Sequence, residues 1–149
     1  MLQQQVRTLE FWSQNEHPID ASITAQSISP FKLNQYREQL RIDGYCIIPN
    51  VFDRDTMANC AQQIQQLHKQ GIPAVFAYMY TPFWNIISQM NVILEHCLQD
   101  TPALLPDIWA WHIENHRNEK GWDPHRDRLV HTLDDSGYPL SLTAWIPFT

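Results

Sequence analysis

The stretch Trp122-Asp123-Pro124-His125-Arg126-Asp127 carries the pair of side chains best suited to chemistry. An imidazole and a carboxylate two residues apart can grip one divalent metal from the same side. Together they supply two of the three ligands of a two-histidine, one-carboxylate iron site. A tryptophan and an Asp-Pro turn precede the pair, and such a turn would aim the ligands into a cavity. On the residues alone a second reading stays open: a surface turn followed by the solvated ion-pair run His125-Arg126-Asp127-Arg128. Chance supplies a His-x-Asp match readily in a chain with seven histidines. Position favours the metal reading, because the pair lies between two segments with strand-like patterning, where side chains are held in place.

Those segments are the elements that must position the corner. Ile108, Ala110, His112 and Glu114 alternate with Trp109, Trp111 and Ile113, and Leu140, Leu142, Ala144, Ile146 and Phe148 alternate with Ser141, Thr143 and Trp145. A period of two predicts strands. The polar minority face of the second strand, with Ser141, Thr143 and Trp145, is suited to lining a barrel interior around a polar ligand. Asp134-Asp135-Ser136-Gly137 predicts a turn between the corner and that strand.

The first two thirds of the chain are patterned as helices. Ser29-Pro30 is a helix start and Gly44 a stop, with Leu33, Tyr36 and Leu40 on one face. A short buried strand, Tyr45-Cys46-Ile47-Ile48, is expected before Pro49. Asp53 can cap a second helix with Met57, Cys60, Ile64 and Leu67 at helical spacing, ended by Gly71. Residues 72–80 fit a strand or a loop, and from Pro82 a third helix carries Phe83, Ile86, Ile87, Met90, Ile93, Leu94 and Cys97. His68 and His96 are expected to be structural. Residues 1–30 are polar and glutamine-rich and predict an N-terminal arm, with Leu2, Val6 and Leu9 as a weak helical face.

Composition bounds the function. A chain of 149 residues with 44% hydrophobic and 17% charged content can build a core. A net charge of −6 with no basic stripe speaks against a nucleic-acid partner. The apolar runs are too short to span a bilayer, and the N-terminus lacks signal-peptide patterning. Cys46, Cys60 and Cys97 are odd in number and widely spaced, as expected for reduced core residues of a cytoplasmic protein. Four of six tryptophans fall in the last third, which predicts a thick core or an aromatic-lined pocket there.

Three pieces in order, Asp43-Gly44-Tyr45-Cys46-Ile47-Ile48-Pro49-Asn50-Val51-Phe52, the Trp122–Asp127 corner and Leu142-Thr143-Ala144-Trp145-Ile146-Pro147, resemble the phytanoyl-CoA dioxygenase family. That family has a helix leading to a "dGy" apolar strand and an "nvf" turn, then a "W-x-x-H-x-D"-like corner, then an "l-t-x-W-I" strand. The resemblance implies an enzyme that uses Fe(II), 2-oxoglutarate and O₂ to hydroxylate a small organic molecule. It implies an α+β fold: N-terminal helices packed on part of a double-stranded β-helix (jelly-roll), truncated after its first strands and occupying residues 31–149. His125 and Asp127 then match the first two iron ligands. Trp145 falls where the family often has a tryptophan near the cosubstrate, and His112 where it often has a pocket-lining polar residue. Presence of the Asp127 carboxylate favours hydroxylation or desaturation over the halogenation of relatives that lack it.

The chain departs from the family's pattern by containing neither the "pGSH"-like segment with the second ligand histidine nor the arginine or lysine that pairs with 2-oxoglutarate. The expectation is an N-terminal half of such an enzyme that binds Fe(II) weakly; His131 and His116 are the nearby histidines, and neither is assigned the place of the missing ligand. The alternatives are a non-catalytic jelly-roll fragment or interaction domain, and a cupin, which would need two closely spaced histidines in its first motif.

Overall fold

A computed structural model describes residues 8–15, 25–113, 123–125, 127 and 130–148. The helices begin and end where local chemistry satisfies their unpaired backbone groups. Helix α1 spans Leu9–Asn15 and α2 spans Pro30–Asp43. Ser29 holds extended backbone and its hydroxyl accepts the Lys32 N–H, while Pro30 gives up an N–H that would have gone unpaired. Gly44 closes α2 at φ 77°, returning its N–H to the Leu40 carbonyl. Helix α3, Arg54–Lys69, is capped by Asp53, whose Oδ1 accepts the Thr56 N–H at 2.8 Å. Its other oxygen accepts the Thr56 hydroxyl. Helix α4, Thr81–Leu98, has Pro82 in its first turn. The stretch 72–80 contains a 3₁₀ helix, Ala74–Met79.

The Asp53 cap predicts a pH dependence. Hydrogen bonds from the Thr56 side chain and then its backbone hold the Asp53 carboxyl below the usual carboxylate range. A carboxylate depressed in the folded state stabilises above its unfolded pKa, and that contribution disappears as pH falls through the folded value. Asp53→Ala is therefore expected to cost about 1 kcal/mol near neutrality. The gap to wild type should shrink as urea melts are taken from neutral pH down through the carboxylate range. A gap that stays constant over that range would show that the charged cap contributes nothing.

The apolar stripes of these helices meet in two clusters. Trp12, Phe52, Cys60, Ile64, Leu67, Ile72, Ala77, Tyr80, Phe83 and Ile86 form the larger one. Trp12 brings α1 into it, stacked on Phe76 at 5.8 Å and edge-on to Tyr80 at 5.5 Å. Leu33, Leu40, Ile93 and Cys97 form the second, where α2 packs on α4. One polar residue is inside: Gln63 is 1% exposed, and neither its amide nitrogen nor its amide oxygen has a partner among the described residues. An unpaired buried amide costs about 1–3 kcal/mol. Gln63→Met, which keeps the unbranched shape, should raise the melting temperature; a lower one would mean that the amide is satisfied by ordered water.

The jelly-roll expectation is overturned. Among the described residues the structure is helical, without a sheet, and its one β-type pairing is the isolated antiparallel bridge between Leu133 and Pro139. Segments 45–48, 107–113 and 142–148 are irregular instead of strands. The physical reason is that alternation identifies a half-buried extended segment, whereas a strand also needs a neighbouring backbone for its hydrogen bonds. Here helices bury the apolar side chains instead. Cys46, Ile48 and Leu142 pack on the second cluster, and Ile146 and Phe148 on the first. Glu114, at the end of the first predicted strand, lies outside the described residues.

The Asp134 turn seats the last segment. Asp134 Oδ1 accepts the N–H groups of Ser136 and Tyr138, and Gly137 adopts φ 83°. Tyr138 then lies on α2, donating its hydroxyl to Glu38 at 3.1 Å with the Arg37 guanidinium 3.7 Å from its ring centroid.

Candidate functional site

The Asp-Pro turn and the segment after it bring His125 and Asp127 together. His125 Nε2 lies 3.1 Å from Asp127 Oδ1. His125 Nδ1 lies 2.7 Å from the Asp123 backbone carbonyl. A carbonyl oxygen only accepts, so Nδ1 carries a proton and donates. Proline at 124 biases Asp123, whose carbonyl accepts, toward extended backbone. Asp127 Oδ2 accepts the Thr143 hydroxyl at 2.8 Å. Thr143 reaches the corner because its neighbours on the other face, Leu142 and Ile146, are held by the two apolar clusters.

This geometry passes a test for a divalent metal at the pair. Two cis ligands with metal bonds of about 2.1 Å, at roughly 90°, lie about 3.0 Å apart. The observed 3.1 Å matches. A ligand histidine commonly donates its second ring N–H to a carbonyl, which fixes the tautomer and turns the other nitrogen outward as a lone pair. The ring faces acceptors on both sides, so it needs either two protons or one proton and a cation. The first alternative makes the contact a charge-assisted hydrogen bond. With half of each side chain exposed, 50% and 54%, such an ion pair would stabilise little.

The donor set is incomplete among the described residues, where no third His, Cys, Asp or Glu joins the pair. His131 is exposed and belongs to no such group, while His17, His116, Gly121 and Trp122 lie outside the described residues. The three cysteines belong to the helical clusters: Cys60 sits in the larger one, Cys97 in the second with Cys46 packed against it, and burial pushes the Cys60 and Cys97 thiols up to about 11.

Trp145 is 71% exposed, two residues beyond Thr143 on the outward face of the same segment. Trp109 and Trp111 are exposed too and stack on each other at 5.8 Å; they build no thick core, and instead line an open groove, the other arrangement expected of clustered tryptophans. His112 lines the same groove, a shallow one of about 230 Å³ beside α3 and the 3₁₀ helix. There it stacks on His68 at 4.2 Å, and its buried Nδ1 has no hydrogen-bond partner among the described residues. Neither His125, Asp127 nor Trp145 lines that groove. The His68–His112 contact had no signature in the sequence, since the two residues are 44 positions apart (112 − 68) on elements with unrelated patterns. Thr143 was legible as a polar-face residue, whereas its attachment to Asp127 was not.

Comparison with known proteins adds no relative: no protein-family model, no curated protein and no solved structure matches the chain.

Proposed function

We propose that the His125–Asp127 corner is part of a mononuclear Fe(II) site and that the protein acts as, or within, a 2-oxoglutarate-dependent oxygenase on a small organic molecule. The observation that supports this is the 3.1 Å convergence of Nε2 and Oδ1, with Nδ1 occupied by the Asp123 carbonyl. The resemblance to the phytanoyl-CoA dioxygenase family supplies the choice of iron and cosubstrate. The reading rests on the corner and not on a barrel.

His125 Nε2 and Asp127 Oδ1 would hold the metal. Fe(II) bound there, with 2-oxoglutarate and O₂ as co-reactants, supplies oxidation of an unactivated C–H bond, a task beyond ordinary side chains. The residues' own work is to bind and to orient. The Asp123 carbonyl keeps the imidazole in the metal-binding tautomer. The half-exposed face of the pair leaves the remaining metal positions open to small molecules. The absence of a third ligand among the described residues favours a second reading, a non-catalytic interaction domain.

Anaerobic Fe(II) titration with 2-oxoglutarate present separates the two. The oxygenase reading expects saturable uptake of one ion, weaker than about 1 µM because the two protein ligands found among the described residues give less than about −8 kcal/mol, the value of a micromolar site. It also expects the weak visible charge-transfer absorption of an Fe(II) chelate. No uptake at millimolar metal would sink the oxygenase reading and leave the interaction domain.

A further inference from the structure

We infer that Thr143 is a positioning residue for the metal: it ties down one oxygen of Asp127 and thereby makes the other the sole oxygen presented beside His125. The inference rests on the proposed metal-binding role of His125 and Asp127. A free carboxylate offers two equivalent oxygens and can bind a cation through either or both. Here they are distinguished. Oδ2 accepts the Thr143 hydroxyl at 2.8 Å, and Oδ1 faces His125 Nε2 at 3.1 Å. One oxygen is held by a donor and the other is left for the cation, which is a monodentate arrangement.

Thr143 suits this task for two physical reasons. Its side chain is β-branched, so few χ1 rotamers are open to it and the hydroxyl direction is well defined. Its backbone is held from both sides. Leu142 packs among Leu33, Leu40, Ile93 and Cys97, while Ile146 and Phe148 pack on the larger cluster, with Phe148 edge-on to Phe83 at 5.6 Å. The hydroxyl is thus carried by a segment anchored in both helical clusters, and it transmits that anchoring to a carboxylate 16 residues away. Without it, the half-exposed Asp127 side chain could rotate and exchange its two oxygens at the metal.

Cobalt(II) tests this without any need for turnover, because its visible d–d bands report the coordination of the bound ion. Thr143→Val keeps the shape and removes the donor, Thr143→Ala removes donor and methyl, and Thr143→Ser restores the donor. Loss of an outer partner of a metal ligand typically lowers affinity about 10–100-fold. The expected result is a loss of at least about tenfold in Val and Ala, an altered d–d spectrum of the ion that still binds, and recovery to within a few-fold in Ser, with all melting temperatures near wild type. Cobalt affinity and spectrum in Val and Ala equal to wild type would overturn the positioning role while leaving the metal site standing. Failure of Ser to recover where Val and Ala lose affinity would also overturn it, since the hydroxyl would then not be the cause. A wild-type protein that takes up no cobalt at millimolar concentration would overturn the metal reading and the inference together.

Discussion

His125→Ala is expected to abolish detectable Fe(II) and Co(II) uptake. Outer partners of metal ligands are worth about 10–100-fold, and a direct ligand is worth more. On the proposed reading His125 and Asp127 are the metal's protein ligands among the described residues, and removing the imidazole leaves there a single half-exposed carboxylate, which competes poorly with water for a divalent ion. His125→Gln sharpens the experiment. Glutamine keeps much of the side-chain volume but offers an amide, which is a weak ligand for iron, so it should behave like alanine. Calorimetry under anaerobic conditions measures the loss, and the melting temperature should barely move, because an exposed ion pair contributes about 0–1 kcal/mol. Retention of wild-type metal affinity in both variants would remove His125 from the site and with it the proposed function.

The largest effect on stability is expected at Phe83. It is 2% exposed and sits where the 3₁₀ helix, α4 and the last segment meet, edge-on to Tyr78 at 6.0 Å and to Phe148 at 5.6 Å. Truncating a buried phenylalanine to alanine costs about 3–5 kcal/mol, from lost burial and from the cavity left behind. Domains of this size are stable by about 5–15 kcal/mol, so Phe83→Ala should shift the urea midpoint far toward zero. Phe83→Leu refills most of the volume and should cost much less. The ring also helps hold the segment that carries Thr143, so the alanine variant is expected to weaken metal uptake even at temperatures where the protein remains folded. A loss under about 1 kcal/mol would mean that the larger cluster is not the core of the folded protein.

Much of the helical part could be read from local chemistry. Ser29, Pro30, Gly44 and Asp53 mark helix boundaries because caps and stops depend on a few neighbouring backbone groups. The burial of Cys60, Ile64, Leu67, Phe83, Ile86, Ile93 and Cys97 follows from helical spacing in the same local way. Alternation in residues 140–148 was informative in part: Leu142, Ile146 and Phe148 turn inward and Thr143 and Trp145 outward, but Leu140 and Ala144, expected on the inward face, are exposed. The inference from alternation to a sheet failed. Periodicity reports which side of a segment is covered, and a helix can cover it as well as another strand. Of the two outcomes that the clustered tryptophans suggested, a thick core is not built from Trp109, Trp111 or Trp145, which are all exposed, whereas Trp109 and Trp111 do line a groove.

The amino-acid sequence by itself determined the candidate pair. Two residues of separation keep an imidazole and a carboxylate within reach of one another whatever surrounds them, and the Asp-Pro step biases the backbone that presents them. Tertiary structure decided how the pair is held. The Thr143 hydroxyl meets Asp127 because residues 142–148 are pinned to helices far away in the chain. The same long-range packing carried His112 away to a groove with His68. Such contacts depend on how whole helices pack, a property of the assembled core that no local pattern of residue types encodes.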